Sequence, residues 1–299
     1  MLEALRTPGE HFENLHGYRF SPSYIEDLPG YEGLRGHYLD VGPADAKEVF
    51  LCLHGEPSWS YLYRKMIPVF TLAGIRVIAP DLLGFGRSDK PIEDNAYTFD
   101  FHRDYLLRFI EALDLRNVTL VCQDWGGVLG LTIPQDMPER FKRLLIMNTG
   151  IMTGHVGGSA FFEWKALIDS DADVPIGEVF RRNAPGISEE EVRAYEAPFP
   201  DQRYKAGVRK FPSLVATRED FPGVETSLKA IPFWSEQWEG DTFMAVGMLD
   251  EMLGPSVMSH MQDMIKGCPE PMELSGAGHF VQEQGEEVAR RALKHFGLA

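Results

Sequence analysis

The stretch Val118-Thr-Leu-Val-Cys-Gln-Asp124-Trp-Gly-Gly127 constrains this chain more than any other. A β-branched, apolar run of strand length reaches one polar residue, and a pair of glycines then opens a helical pattern. A strand that turns so sharply into a helix holds the residue at the bend in a strained backbone. The neighbours of that residue must be small, and Gly126 and Gly127 supply the room on the helix side. Cys122, two residues before the bend, stands where such bends generally carry glycine, but it is modest in size. This is the setting of a nucleophile elbow, with Asp124 at its tip. An aspartate at a helix start is equally an ordinary N-cap, so the reading needs support from elsewhere in the chain.

The pattern around the bend supplies part of it. Gly36–Gly42 alternates as a strand should, and Val49–Leu53 is a compact apolar run ending in the turn His54-Gly-Glu-Pro57. A helical stretch around Trp59–Leu72, a strand Ile75–Ala79, a helix Phe99–Leu113, the strand Val118–Cys122, a helix Gly126–Met137 and a strand Leu144–Met147 follow. Strands alternating with helices predict a largely parallel sheet covered on both faces. From Ile151 to about Ile231 only helical and loop signals occur, with the acidic runs Asp169–Asp173 and Glu189–Glu191 as solvated helix ends. Strand patterns resume at Thr242–Gly247 and Pro271–Ser275, and Glu286–Phe296 is amphipathic. The expectation is an α/β core over residues 1–150 and 232–299, interrupted by a helical insertion over 151–231.

In open α/β sheets reactive groups collect at the carboxyl ends of the strands. Four such ends carry candidates: the turn at His54–Pro57, Gln123–Gly127, Asp250 and His279. An aspartate where acyl-transfer enzymes carry serine has a chemical meaning. Serine attacking a saturated carbon would leave a stable ether, whereas a carboxylate leaves an ester that water can hydrolyse. Asp124 thus points to displacement at saturated carbon. Hydrolysing the ester needs a base, and His279, in the glycine-rich turn Ser275-Gly-Ala-Gly-His279-Phe, is the candidate; an isolated histidine is otherwise more often structural, and His54 reads as a turn residue. A base needs an orienting acid. Asp250 ends the strand that resumes after the insertion, while the strand before it ends in Asn148, which cannot act as an acid. A capping or loop carboxylate remains the rival reading of Asp250.

Developing charge calls for donors. The backbone N–H groups of Glu56 and Trp125 are the expected oxyanion hole, a role that asks nothing of the glutamate side chain. A departing anion suits the donor-only indole N–H. Trp125 follows the nucleophile, and Trp164 in the insertion is the best second donor; a Trp that merely packs the insertion onto the sheet is the alternative.

The net charge of −16 repels phosphate backbones and anionic lipid heads, so nucleic acid and membrane partners are not expected. The three cysteines, Cys52, Cys122 and Cys268, show neither a disulfide framework nor metal-ligand spacing. No apolar stretch has the length of a signal or a membrane span. The expectation is therefore a cytoplasmic, monomeric protein without metal or cofactor.

Together, His54-Gly-Glu-Pro-Ser-Trp-Ser-Tyr-Leu-Tyr-Arg-Lys65, Pro80-Asp-Leu-Leu-Gly-Phe-Gly-Arg-Ser-Asp89, Gln123-Asp-Trp-Gly-Gly127 and Gly276-Ala-Gly-His-Phe280 resemble the haloalkane dehalogenases of the α/β-hydrolase superfamily. The resemblance covers nearly the whole chain. It is to the subfamily that holds halide between two tryptophans and takes its acid after the strand following the cap. It implies an eight-stranded sheet, Asp124 as nucleophile, His279 as base and Asp250 as orienting acid. It also implies Trp125 and Trp164 as halide donors, and Glu56 and Trp125 amides as oxyanion hole. Phe161, Phe211, Pro212, Val215 and Leu253 are implied as an apolar substrate pocket. Val128, in the core, joins them where close relatives carry a bulky aromatic, and the insertion is somewhat shorter than theirs. The implied reaction takes a small haloalkane and water to an alcohol, halide and a proton. The nearest rival is an epoxide hydrolase, which needs cap tyrosines to protonate its substrate; Tyr195 and Tyr204 are the available ones. A catalytically dead fold serving as a binding protein is the more distant alternative.

Overall fold

The structure, a computed structural model, describes residues 2–156 and 158–299. Its centre is an eight-stranded sheet. In chain order the strands are β1 (Ser23–Ile25), β2 (Gly36–Val41), β3 (Val49–Leu53), β4 (Arg76–Pro80), β5 (Val118–Cys122), β6 (Phe141–Met147), β7 (Asp241–Gly247) and β8 (Met272–Leu274). The spatial order is β8-β7-β6-β5-β3-β4-β2-β1. Strand β2 runs antiparallel to both its neighbours, β1 and β4, and every other pairing is parallel. Neighbours that are not consecutive in sequence force the chain to cross over the sheet, and helices make the crossings: α1 (Ile67–Leu72), α2 (Phe99–Ala112) and α3 (Trp125–Gly130) in the first half.

The central strands read as unbroken apolar runs because both their faces are covered. All five residues of β3 and all five of β5 are buried. Each Val, Leu or Phe among them contributes about 1.5–3 kcal/mol of burial. Helix α2 starts where Thr98 accepts a hydrogen bond from the Phe101 N–H at 3.0 Å, and packs on α3. The expected helix over Gly126–Met137 is shorter than its sequence pattern: α3 ends at Gly130, and a run of turns containing Pro134 carries the chain to β6. Proline lacks the N–H that would continue the helix and disfavours helical backbone in the residue before it. The stretch Trp59–Leu72 likewise divides, into a 3-10 turn over Ser60–Tyr63 and α1.

Between β6 and β7 the described residues form helices and loops only: α4 (Ala160–Ser170), α5 (Ile176–Asn183), α6 (Glu189–Glu196), α7 (Ala206–Lys210) and α8 (Val224–Pro232). Two helices close the chain, α9 (Pro255–Met264) after β7 and α10 (Gly285–His295) after β8, the latter packed against α1. Cys52 and Cys122 are free and buried on the adjacent strands β3 and β5, and Cys268 is free and half-buried. Among the described residues no helix is long and apolar enough to cross a membrane.

Candidate active site

The strand ends β3, β5, β7 and β8 bring their loops together above the sheet. Asp124 sits between β5 and α3 with φ 51° and ψ −131°, a left-handed conformation that a non-glycine residue adopts only under constraint. The constraint is visible. The Asp124 N–H donates to the Asn148 carbonyl at 2.9 Å, and the Thr149 hydroxyl donates to the Asp124 carbonyl at 2.7 Å. Gly126 lies so close to β3 that a Cβ there would stand 2.0 Å from the Leu53 carbonyl oxygen. Only glycine lets the helix start this near the strand, which lifts the Asp124 side chain off the sheet.

The turn after β3 supplies a donor. The Glu56 N–H donates to Oδ1 of Asp124 at 2.8 Å. The Trp125 N–H is the first amide of α3, next in the chain after Asp124. His54 is more than a turn residue. It is buried, its Nδ1 lies 2.8 Å from the Gly55 carbonyl, and its Nε2 accepts from the Leu82 N–H at 2.9 Å. It ties the turn to the loop after β4, and burial lowers its pKa, which suits the neutral ring these bonds require. The Glu56 side chain is also buried, and its Oε1 finds no partner among the described residues. Burial, reinforced by the charge of Asp124, pushes this carboxyl well above the usual range.

His279 bridges the two remaining carboxylates. Its Nδ1 is 2.9 Å from Oδ2 of Asp250, and its Nε2 is 3.6 Å from Oδ2 of Asp124. Asp250 is almost fully enclosed. Its Oδ2 also accepts from the Asn148 amide at 2.9 Å, while Oδ1 accepts from the N–H groups of Met252 and Leu253 at 2.9 and 3.1 Å. Burial pushes the Asp250 carboxyl up, but the charge of His279 and these donors outweigh it and hold the group well below the carboxylate range. Burial alone would lower the His279 pKa. The Asp250 charge, with the charge and hydrogen bonding of Asp124 and the hydrogen bond to Asp250, reverses that and raises it to about 10.

Two contributors had no role in the sequence reading. Asn148, set aside there because it cannot be an acid, bonds Asp250 and both backbone groups of Gly247, and so locks β6 to the acid's loop. The Gln123 amide nitrogen lies 2.9 Å from Nε2 of His279 and donates to the His279 carbonyl at 3.1 Å. Their positions at the strand ends were the available signal.

A cavity of about 830 Å³ opens over this group. Asp124, Trp125, Glu56, Asp250 and His279 face it from the core, with Val128; Phe161 and Trp164 face it from α4, and Pro212, Val215 and Leu253 complete the predicted wall. Phe211 is a correction. It does not line the cavity but packs edge-on against the Trp125 ring at 4.9 Å and against Phe85 and His102, fully buried behind the indole. The neighbouring Pro212 takes the cavity face because the turn over Phe211–Leu214 points successive side chains in different directions.

The five tryptophans separate into two groups. Trp59, Trp234 and Trp238 donate their indole N–H to Ala194, Leu131 and Thr242. Trp125 and Trp164 both border the cavity, and among the described residues neither indole N–H has a protein acceptor. Two unspent donors on residues that border the cavity, together with the Asp124 carboxylate on its wall, suit a leaving anion. No tyrosine among the described residues lines the cavity; the Tyr195 hydroxyl donates instead to Glu283, behind the base loop. No group of three or more His, Cys, Asp or Glu among the described residues is arranged to hold a metal.

A family model described as alpha/beta hydrolase fold matches residues 48–286. A haloalkane dehalogenase of Psychrobacter cryohalolentis is 43% identical over 97% of this chain and 96% of the relative. One from Mycolicibacterium paratuberculosis is 40% identical over 98% of both. Among solved structures, the tetrameric haloalkane dehalogenase DpaA from Paraglaciecola agarilytica superposes with a TM-score of 0.97 at 52% identity, covering all of both chains.

Proposed function

The chain belongs to the haloalkane dehalogenases, hydrolases that cleave carbon–halogen bonds, and we propose that it works through an alkyl ester on Asp124, hydrolysed with His279 as base. The observation that carries this reading is the His279 ring held between two carboxylates, 2.9 Å from Asp250 and 3.6 Å from Asp124. The Asp124 carboxylate attacks the carbon opposite the halogen. The C–X bond breaks as the C–O bond forms, and the halide leaves toward the Trp125 and Trp164 N–H groups. Water, losing a proton to His279, then adds to the ester carbonyl. The Glu56 and Trp125 amides receive the oxyanion, and collapse returns the alcohol and the carboxylate. Asp250 holds the ring orientation and stabilises its charged form.

Substrates are haloalkanes. The cavity volume and Val128 on its wall support room for chains longer than two or three carbons. The free and partly buried cysteines support a reducing, cytoplasmic setting. For assembly, the likeness to DpaA supports a tetramer over the monomer expected from the sequence, and light scattering on the purified chain distinguishes them.

The test is a His279→Gln variant mixed with 1-bromobutane and examined by intact-protein and peptide mass spectrometry. A butyl adduct on Asp124 is expected to accumulate. A variant that releases bromide with no adduct on that side chain would refute the ester.

A further inference from the structure

The loop that carries His279 is gripped on its far side by the insertion. Helix α5 ends against it so closely that a Cβ on Gly278 would stand 2.4 Å from the Asn183 carbonyl oxygen. The ring of Phe280 lies stacked under Phe180 of α5, at 4.2 Å between centroids and 22° between planes. Phe180 in turn lies under Tyr195 of α6, at 3.6 Å and 11°. His279 meets the edge of Phe280 at 4.9 Å. A column of three rings thus runs from α6 to the imidazole.

The column is pinned by buried charge. Four residues after the base, Glu283 accepts from the Tyr195 hydroxyl at 2.5 Å, from Arg64 at 2.8 and 2.6 Å and from Lys65 at 2.8 Å. Arg64 and Lys65 also reach Glu191 of α6, at 2.5 and 2.9 Å. Glu191 has little freedom to move, because its other oxygen accepts from the Ser188 N–H and its own N–H donates to the Ser188 hydroxyl, a capping box that fixes the start of α6. Two cations and two carboxylates compensate one another inside the seam, each with several hydrogen bonds. Breaking one member of such a set leaves the others uncompensated.

We propose that α5 and α6 form a brace that sets the position of His279, and that Glu283, Tyr195 and Phe180 are positioning residues for ester hydrolysis. Alkylation does not need the brace. It depends on Asp124, the Glu56 turn and the two indoles, and among the described residues no hydrogen bond, ion pair or ring contact joins Phe180, Tyr195 or Glu283 to these. Hydrolysis does need it, because a base displaced by about 1 Å loses on the order of a hundredfold in rate. The proposal rests on the ester reading above, and the test keeps the two apart.

The experiment uses the full chain with 1-bromobutane, following bromide release by rapid quench and butyl adduct by mass spectrometry. The variants are Tyr195→Phe, Glu283→Gln and Tyr195→Ala, with His279→Gln as control and thermal melting to check folding. Hydrolysis is expected to slow by about threefold in Tyr195→Phe, which keeps the ring column, about tenfold in Glu283→Gln and about a hundredfold in Tyr195→Ala. Alkylation should change by less than about threefold throughout, so adduct accumulates in the same order. Should Tyr195→Ala fail to fold, the two conservative variants decide. Alkylation and hydrolysis falling together, or neither moving in folded protein, overturns the brace. Adduct in the control without adduct in the other variants rejects the brace alone, whereas no adduct in the control rejects the ester.

Discussion

Replacing Asp250 by Asn removes one charge and keeps the shape, and the structure fixes what that should do. Oδ2 of Asp250 accepts from two donors, His279 and Asn148, and Oδ1 accepts from two more, the Met252 and Leu253 amides. Whichever way the new amide turns, its NH2 group faces donors on one side, a mismatch worth about 1–3 kcal/mol of stability. The larger effect falls on the imidazolium that forms as water loses its proton. With Nδ1 and Oδ2 2.9 Å apart, the two charge centres stand about 4 Å apart. At an effective dielectric near 20 their attraction is about 4 kcal/mol. At about 1.4 kcal/mol per decade, hydrolysis of the ester should slow roughly a thousandfold. Alkylation forms no imidazolium and should hold within about tenfold. Rapid-quench measurement of bromide from 1-bromobutane would then show a burst near one bromide per site, followed by a slow steady rate. Linear release with no burst, or steady turnover within about tenfold of the parent, would show that His279 does not depend on Asp250.

Trp164→Phe keeps the aromatic wall but removes one of the two unspent indole donors, so bromide affinity should fall about tenfold, the value of one charge-assisted hydrogen bond near 1.5 kcal/mol. Quenching of the remaining tryptophan fluorescence by bromide measures it, and an unchanged midpoint removes Trp164 from the halide site. Val128→Phe narrows the cavity beside the nucleophile, and kcat/KM for 1-bromohexane should drop by at least about tenfold more than for bromoethane; a parallel change would mean Val128 does not limit chain length. Asp81 concerns the fold. It is fully buried and accepts from His37 at 2.7 Å, the Ser60 N–H at 2.7 Å and the Arg87 N–H at 2.8 Å. Burial raises its carboxyl, but the His37 charge and these donors outweigh it and bring the pKa to about 2. Because the folded value lies below the unfolded one, its contribution is complete above about pH 4 and is lost as pH falls toward 2. Asp81→Ala should cost about 3–5 kcal/mol by urea titration at neutral pH, with the gap to the parent shrinking in acid; a constant gap would contradict the assigned ionisation.

The parallel order of the sheet and the elbow were legible because both rest on local rules. Apolar runs of strand length, glycine pairs and an aspartate between them are visible in one dimension, and the candidates for acid and base, Asp250 and His279, stand at strand ends. What escaped depends on where side chains point after the chain folds. Phe211 and Pro212 are neighbours, and only the pitch of the turn over Phe211–Leu214 sends the ring behind Trp125 and the proline to the cavity. Helix α3 stops early because Pro134 lies downstream, a signal outweighed by the apolar periodicity around it. Gln123 and Asn148 were in view but roleless, since an amide is not an acid or a base. Their work is to hold such groups, which needs a partner more than a hundred positions away in sequence. The buried cluster of Arg64, Glu191 and Glu283 was hidden for the same reason: its members span more than two hundred residues.

The charge balance around His279 makes a last prediction, about when the proton of the reaction leaves. In the free enzyme burial works against the charged ring, yet the two flanking carboxylates, Asp250 first and Asp124 with it, raise its pKa to about 10, so the ring is protonated at neutral pH. Esterification turns Asp124 into a neutral ester and removes one of those two carboxylates, while burial and Asp250 remain. The His279 pKa must therefore fall when the ester forms, and the ring must lose its proton before it can accept one from water. The Gln123 amide, 2.9 Å from Nε2, can meet either state: its nitrogen donates to the bare ring nitrogen, and after a half-turn its oxygen accepts from the charged one. The proton taken from water during hydrolysis then recharges His279 as Asp124 is restored. The proton that reaches solution thus comes from the ring in the first phase, with the halide. A pH indicator in lightly buffered rapid mixing should register it within the bromide burst, in a window bounded above by about pH 10 and below by the lowered value in the ester. His279→Gln should release bromide in its burst with no proton. If, at every pH from about 7 to about 9, the parent's proton lagged behind its bromide and appeared only with the alcohol, the ring would be neutral before alkylation, and the coupling between Asp124 and His279 would be too weak to order the steps.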